Sequence, residues 1–272
     1  MEIKSVVAKE GNGNIQITFT IPFGIIKKAQ DETIAEMAKD IEVPGFRKGK
    51  APLAKVKEKI PEATLIEHSL SHVLPKALGE AITEHKLKLA VYPKWELISA
   101  KEGESWQVRG ISCELPEVSL GNYKNVVAGE IRAASLKKEL AKDEKEQVTI
   151  KALLDSTKIK IPSILVEEEA NGRLSSLLSR LEKLGLALEG YLASVGKSAQ
   201  DLRAEYAAQA KDAISLDLIL SKVADTENLK VEEKQIDEAL KVSGNKEGTE
   251  SRRVIESILK RRAALEFLTK LT

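Results

Sequence analysis

The sequence predicts an α+β amino-terminal domain followed by an all-α carboxy-terminal domain. Three observations point there. Seven of the eight prolines fall at or before Pro116, and only Pro162 lies beyond. Proline disrupts helix interiors, so the first part is punctuated and the second is free to run helical. Both tryptophans, Trp95 and Trp106, and the histidines His68, His72 and His85 also fall early. Strict apolar alternation, the period of a half-buried strand, marks Ile15, Ile17, Phe19 and Ile21. Leu, Ala, Lys and Glu dominate the rest, a mix that favours helix.

The elements follow in order. Ile3, Val6 and Val7 lie in a first strand, and Gly11-Asn12-Gly13-Asn14 is hairpin turn chemistry leading into the alternating second strand. Pro22 ends that strand. Ile26, Ala29, Ile34, Met37 and Ile41 give helical spacing over 23–41. A glycine- and proline-framed loop covers 43–52. Pro52 suits the first turn of a short helix over 53–60, and Pro61 opens a longer one to about His85. Residues 91–98 and 105–115 read as closing strands joined by a Lys-Glu-Gly turn. The order is ββαααββ, an antiparallel sheet with helices on it.

Beyond Pro116, residues 123–131 read as an extended or linker stretch, and 135–157 as a charged helix. Ile161-Pro162-Ser163 opens a long helix, with Ser163 as N-cap and Glu167, Glu168 and Glu169 near its positive end. Residues 187–195 form a short helix stopped by Gly196. Ser198 caps another, reaching about Ala224. Residues 231–242 and 249–271 complete the set. The expected domains are 1–116, a linker over 117–134, and a helical domain over 135–272.

Composition narrows the function classes. One cysteine, Cys113, excludes an internal disulfide and fits a reducing compartment. No run of eighteen apolar residues occurs, so no membrane partner is expected. Met1 leads straight into a strand-like segment, and a cytoplasmic location is the expectation.

The most informative segment is Val43 to Pro52, V-P-G-F-R-K-G-K-A-P. Gly45 and Gly49 bracket Phe46, Arg47 and Lys48, with Pro44 and Pro52 at the ends. Core packing does not call for an aromatic and two cations at a constrained tip. Docking does: an aromatic anchor supplies buried area, and arginine pairs bidentately with phosphate or carboxylate. From Arg47 to Lys59 six cations face one acid, Glu58, in a chain whose net charge is +1. Such a local excess suits an anionic partner, with RNA the commonest large one.

G-F-R-K-G-K-A-P resembles the signature loop of bacterial trigger factor, a chaperone that docks beside the ribosomal exit tunnel. The resemblance implies that Phe46, Arg47 and Lys48 contact the ribosome, with Lys50 beside them, and that Gly45, Gly49 and Pro52 shape the loop. The ββαααββ order matches that family's ribosome-binding domain over about 115 residues. The segments I-P-S-I-L-V-E-E-E, G-L-x-L-E-G-Y-L and K-S-A-Q-D-L-R are similar to its helical arms. The implied partners are large-subunit protein and RNA at the exit tunnel, and nascent or unfolded polypeptides. The resemblance leaves room for a weak homodimer and implies no cofactor.

Trigger factors of the usual architecture also carry a prolyl-isomerase domain between these parts. Here about forty residues separate Pro116 from Pro162, with Tyr123 as their one aromatic. A domain of roughly 100 residues does not fit, and an apolar pocket needs aromatic walls. No isomerase activity is expected.

Other chemistry is weaker. His68 and His72 are four apart on a predicted helix, but Ser69 breaks the H-E-x-x-H pattern and no third ligand is near, so a polar helix face is the reading and no metal is expected. Cys113 has no C-x-x-C partner and reads as a buried, inert thiol. No catalytic residues are assigned. The leucines Leu177, Leu178, Leu181, Leu184, Leu186, Leu188 and Leu192 cover more than one stripe. Ordinary helix packing explains many of them; exposed apolar surface that holds unfolded chains is the functional reading. The combined expectation is an ATP-independent chaperone tethered at the ribosome. A ribosome assembly or hibernation factor and a free-standing holdase stay open.

Overall fold

Apolar alternation and tight turns build a four-stranded sheet at the amino terminus. The computed structural model of the chain describes residues 2–11, 13–136, 139–243 and 248–271. It divides into two compact units between Leu115 and Pro116. The first holds β1 (Lys4–Lys9), β2 (Asn14–Ile21), α1 (Phe23–Met37), α2 (Leu53–Lys57), α3 (Glu62–His85), β3 (Lys94–Ser99) and β4 (Trp106–Cys113). All neighbours pair antiparallel in the order β1-β2-β4-β3. The ββαααββ expectation is therefore met.

Ile15, Ile17, Phe19 and Ile21 of β2 share one face with Trp106 and Val108 of β4, and all six are buried. The apolar side of α3, including Val73, Leu74, Ala77 and Leu78, packs against them. Cys113 is buried at the end of β4, as its strand position implied. Asn12 of the predicted turn lies outside the described residues; beside it, the Gly13 N–H donates to the Glu10 carbonyl at 3.0 Å.

Several boundaries differ from the sequence reading. β3 starts at Lys94 rather than Val91, because Pro93 cannot donate to a ladder. Residues 89–91 instead meet the end of β4 irregularly, with the Ala90 N–H donating to the Cys113 carbonyl at 2.8 Å and the Ser112 hydroxyl to the Val91 carbonyl at 2.7 Å. α1 stops at Met37, and turns carry the chain to the loop. His72 Nε2 lies 3.3 Å from Glu36 Oε2 of α1, so that side of α3 is a polar contact between helices.

The second unit holds α4 (Tyr123–Ser135), α5 (Lys142–Ser156), α6 (Ser163–Lys183), α7 (Leu188–Val195), α8 (Ala199–Thr226), α9 (Glu233–Ser243) and α10 (Thr249–Leu268). The expected linker is a correction. Residues 123–135 are a helix whose Tyr123, Val127 and Ile131 join Leu153, Ile219, Val223, Ala264 and Leu268 in the main core of this unit. The four-residue spacing of Tyr123, Val127 and Ile131 was a helical signal. Lys137 and Lys138, inside the predicted helix over 135–157, lie outside the described residues. Ser163 is the first helical residue of α6 and not its cap, since Pro162, at φ −55° and ψ 135°, holds the cap position. Ser198 does cap α8: its hydroxyl accepts the Asp201 N–H at 3.1 Å, and the Asp201 carboxylate accepts the Ser198 N–H in return.

A polar clamp ties α4 to the end of α8. The Tyr123 hydroxyl donates to Glu227 at 2.6 Å, and Lys124 Nζ lies 2.7 Å from the same carboxylate. The Lys124 hydrogen bond, then that from Tyr123, holds the Glu227 carboxyl below its ordinary value of 4.5. Burial, followed by the bond to Glu227, pushes the Tyr123 phenol upward, so it remains a donor. A carboxyl depressed in the folded state stabilises above the unfolded value and loses that contribution as pH falls through the folded value. Below about pH 4.5, wild-type Tm is expected to fall more steeply than that of Glu227→Gln; melting curves from about pH 6 to 3 check it. Parallel pH profiles would count against the clamp.

Candidate docking loop and apolar helix tips

The basic loop is built from two turns in tandem. In the first, Val43-Pro44-Gly45-Phe46, the Phe46 N–H donates to the Val43 carbonyl at 3.0 Å. In the second, Arg47-Lys48-Gly49-Lys50, the Lys50 N–H donates to the Arg47 carbonyl at 2.9 Å. The third residue of each is a glycine with positive φ, +85° at Gly45 and +78° at Gly49. A type II turn needs that conformation there, and Pro44 suits the second position. A Cβ at either glycine would meet nothing within 4 Å, so conformation rather than space requires glycine.

The turns stand on their own small core. Val43, Val56 and Ile60 are buried with Ile34 of α1 and Leu65 of α3, and Ile41 and Ala51 pack against them. Both ends of the loop are thus pinned, while residues 44–50 are exposed. Phe46, at 47% exposure, has no share in that core. Gly49→Ala should cost about 1 kcal/mol at the second turn. Exchange of the Lys50 amide should then speed up roughly fivefold, with Gly49→Asn intermediate because asparagine tolerates left-handed backbone. Unchanged exchange would remove the type II assignment.

The six cations are not equivalent. Lys55 bonds Glu58 at 2.9 Å, Lys57 lies 3.7 Å from Glu102, and Lys48 lies 3.7 Å from Asp40. Among the described residues, Arg47, Lys50 and Lys59 have no carboxylate within 4.0 Å. Asp40 and Glu102, outside the counted segment, offset part of the basic excess; only the fold brings them near.

The leucine set divides. Leu181 is buried on α6, which removes it as client surface. Leu177, Leu188 and Leu192 are half-buried. Leu178 is 46% and Leu184 66% exposed. Leu186, between α6 and α7, is 54% exposed and Val195, the last residue of α7, 40%; α7 has no buried residue. α6 packs on α8, and α7 connects the two along the chain. On α10, Val254 and Ile258 are exposed one turn apart. Sequence reading missed that pair, although the four-residue spacing was visible.

The α+β unit thus exposes an aromatic-cationic loop, and the helical unit exposes several leucines. The chain belongs to the trigger factor family. The profile "Bacterial trigger factor protein (TF)" matches residues 3–148, and "Bacterial trigger factor protein (TF) C-terminus" matches residues 119–270. The trigger factor of Streptococcus agalactiae is 40% identical over 110 residues, 40% of this chain and 26% of that protein. That of Streptococcus uberis is 34% identical over 154 residues, 57% of this chain and 34% of that protein. These alignments span only a quarter to a third of the relatives' length. A solved structure from work on promiscuous substrate recognition in folding and assembly activities of the trigger factor chaperone superposes with a TM-score of 0.64 at 13% identity, covering 99% of both chains, which shows a shared fold.

Proposed function

We propose that this chain is an ATP-independent chaperone that docks near the ribosomal exit tunnel and shields emerging polypeptides. The observation that carries the reading is the loop: Phe46, Arg47 and Lys48 held at the apex of two pinned turns, with Lys50 beside them. An exposed aromatic beside an unpaired arginine is the composition of an interface hot spot. Ribosomal protein and RNA supply the carboxylates and phosphates that such cations pair with. Tethering raises the local concentration of chaperone at each chain, so individual apolar contacts can be weak. Prolyl-isomerase chemistry is no part of the reading. The segment where that domain would stand is α4 and α5, both packed into the helical core.

The client-holding half is tested without ribosomes. Leu178→Ser/Leu184→Ser/Leu186→Ser should reduce suppression of aggregation of a chemically unfolded client by about threefold to tenfold in the dose required, with Tm nearly unchanged because these side chains are exposed. Light scattering at increasing chaperone ratio measures it. Full suppression by the variant would move client contact away from this tip; no suppression by the wild type would leave a ribosome-bound assembly or hibernation factor. The docking half is tested by co-sedimentation with ribosomes across salt.

A further inference from the structure

The first unit carries an apolar groove remote in sequence from the loop. Ile66, Leu70 and Leu74 of α3 form one wall, and Tyr92, Trp95 and Leu97 form the other, around about 690 Å³. The floor depends on a glycine: a Cβ at Gly110 would come 2.6 Å from the Trp95 ring, so glycine lets the indole lie down across β4. There it meets Phe19 at 5.8 Å and Tyr92 at 6.1 Å between ring centroids. Tyr92 is 62% and Leu97 46% exposed, an unusual amount of large apolar surface for one short edge.

Beside this groove runs an open strand edge. β3 is the last strand of the sheet and pairs only with β4. Among the described residues, no backbone hydrogen bond joins β3 to any other segment. The opposite edge differs in being covered: on β1, Ser5 bonds His85 of α3 at 3.0 Å, whereas both edge strands carry charged residues, Lys4 and Lys9 on β1 and Lys94 and Glu96 on β3. Covering an edge discourages strand addition, and an uncovered one leaves its donors and acceptors available.

We propose that this groove takes an extended, apolar polypeptide segment that adds to β3 as a fifth strand. The hydrogen-bonding supply selects that occupant. A small-molecule site offers a few convergent polar side chains, whereas here Glu67, Ser71 and the Tyr92 and Trp95 ring groups are the polar side chains of an otherwise apolar lining. The rest is a regular row of backbone donors and acceptors, which an extended backbone matches in spacing. Alternate side chains of the segment then fall against Trp95 and Leu97. Glu67 carries the one formal charge of the lining, so charge complementarity places a lysine or arginine of the segment against it. The register shift between Leu97 and Ser99 ends the regular edge, limiting the paired stretch to Lys94–Leu97. The inference stands apart from the docking loop and the helix tips.

The test uses the full chain and a tryptophan-free peptide alternating valine and threonine, with one lysine. Both tryptophans lie in this unit, and Trp106 is 2% exposed, so a fluorescence change reports on Trp95. Two isomers of the peptide carry N-methyl groups on alternate amides, one isomer for each edge. The parent should give a saturable fluorescence change. One isomer should bind like the parent and the other about tenfold more weakly, since up to two hydrogen bonds are lost. Leu97→Asp and Tyr92→Ala, both at exposed positions, should weaken binding with Tm retained, and Glu67→Gln should weaken only the lysine-bearing peptide. Equal binding of both methylated isomers would overturn strand addition. So would a silent Trp95, binding unaffected by Leu97→Asp, or concentration-dependent dimers that occupy the edge with a second copy.

Discussion

Phe46→Ala/Arg47→Ala/Lys48→Ala is expected to lower affinity for ribosomes by at least about 100-fold near 100 mM salt, equivalent to about 2.7 kcal/mol. Two effects add. An aromatic or arginine that acts as a hot spot costs about 2 kcal/mol or more to truncate, whereas exposed ion pairs alone contribute under about 1 kcal/mol. The cations also set the salt dependence. With three or four phosphate contacts from Arg47, Lys48, Lys50 and Lys59, wild-type affinity should fall roughly 20- to 150-fold between about 50 and 200 mM salt. Removing two of those contacts should flatten the log–log slope by about 1.4 to 1.8. Co-sedimentation at several salt concentrations measures both quantities. The variant's Tm should be unchanged, because residues 46–48 are exposed and the cluster of Val43, Val56 and Ile60 lies beneath them. Sedimentation that ignores the triple change would make the loop vestigial and favour a free-standing holdase.

Val127→Asp should severely destabilise the helical unit. Val127 is 0% exposed, with Leu153, Ile219, Val223 and Leu268 in the same cluster. Burying an unpaired carboxylate there costs several kcal/mol, a large share of the 5–15 kcal/mol typical of domain stability. Val126, its neighbour, is 39% exposed, and Val126→Asp should change stability by less than about 0.5 kcal/mol. A tether over 117–134 would tolerate both substitutions alike. Thermal melts followed at 222 nm, with limited proteolysis, separate the two outcomes; equal Tm values would return this stretch to a linker.

The contrast shows where sequence reading stops. The sheet order was legible because Ile15, Ile17, Phe19 and Ile21 alternate strictly and tight turns separate the strands. The helices beyond Ser163 were legible from their caps and leucine spacing, as Ser198 with Asp201 illustrates. α4 was missed although Tyr123, Val127 and Ile131 have helical spacing. The stretch follows a proline and two turn residues, Gly121 and Asn122, and reads polar in between. Its assignment rests on partners far away in sequence, such as Ile219 and Leu268.

The candidate site divides the same way. Which residues form the loop was legible locally, because a left-handed third turn position calls for glycine and a fixed second position suits proline. The availability of its charges was not: Asp40 reaches Lys48 and Glu102 reaches Lys57 only in the folded chain. Nor could spacing separate buried Leu181 from exposed Leu178 and Leu184, since all three lie on α6 or at its end and differ only in what packs over them. By itself, the sequence determined most of the local periods, the Ser198 cap and the turn chemistry, which depend on neighbours a few residues apart. Tertiary structure alone decided burial, charge pairing and the open edge of β3, because those depend on surfaces that distant segments cover or leave bare.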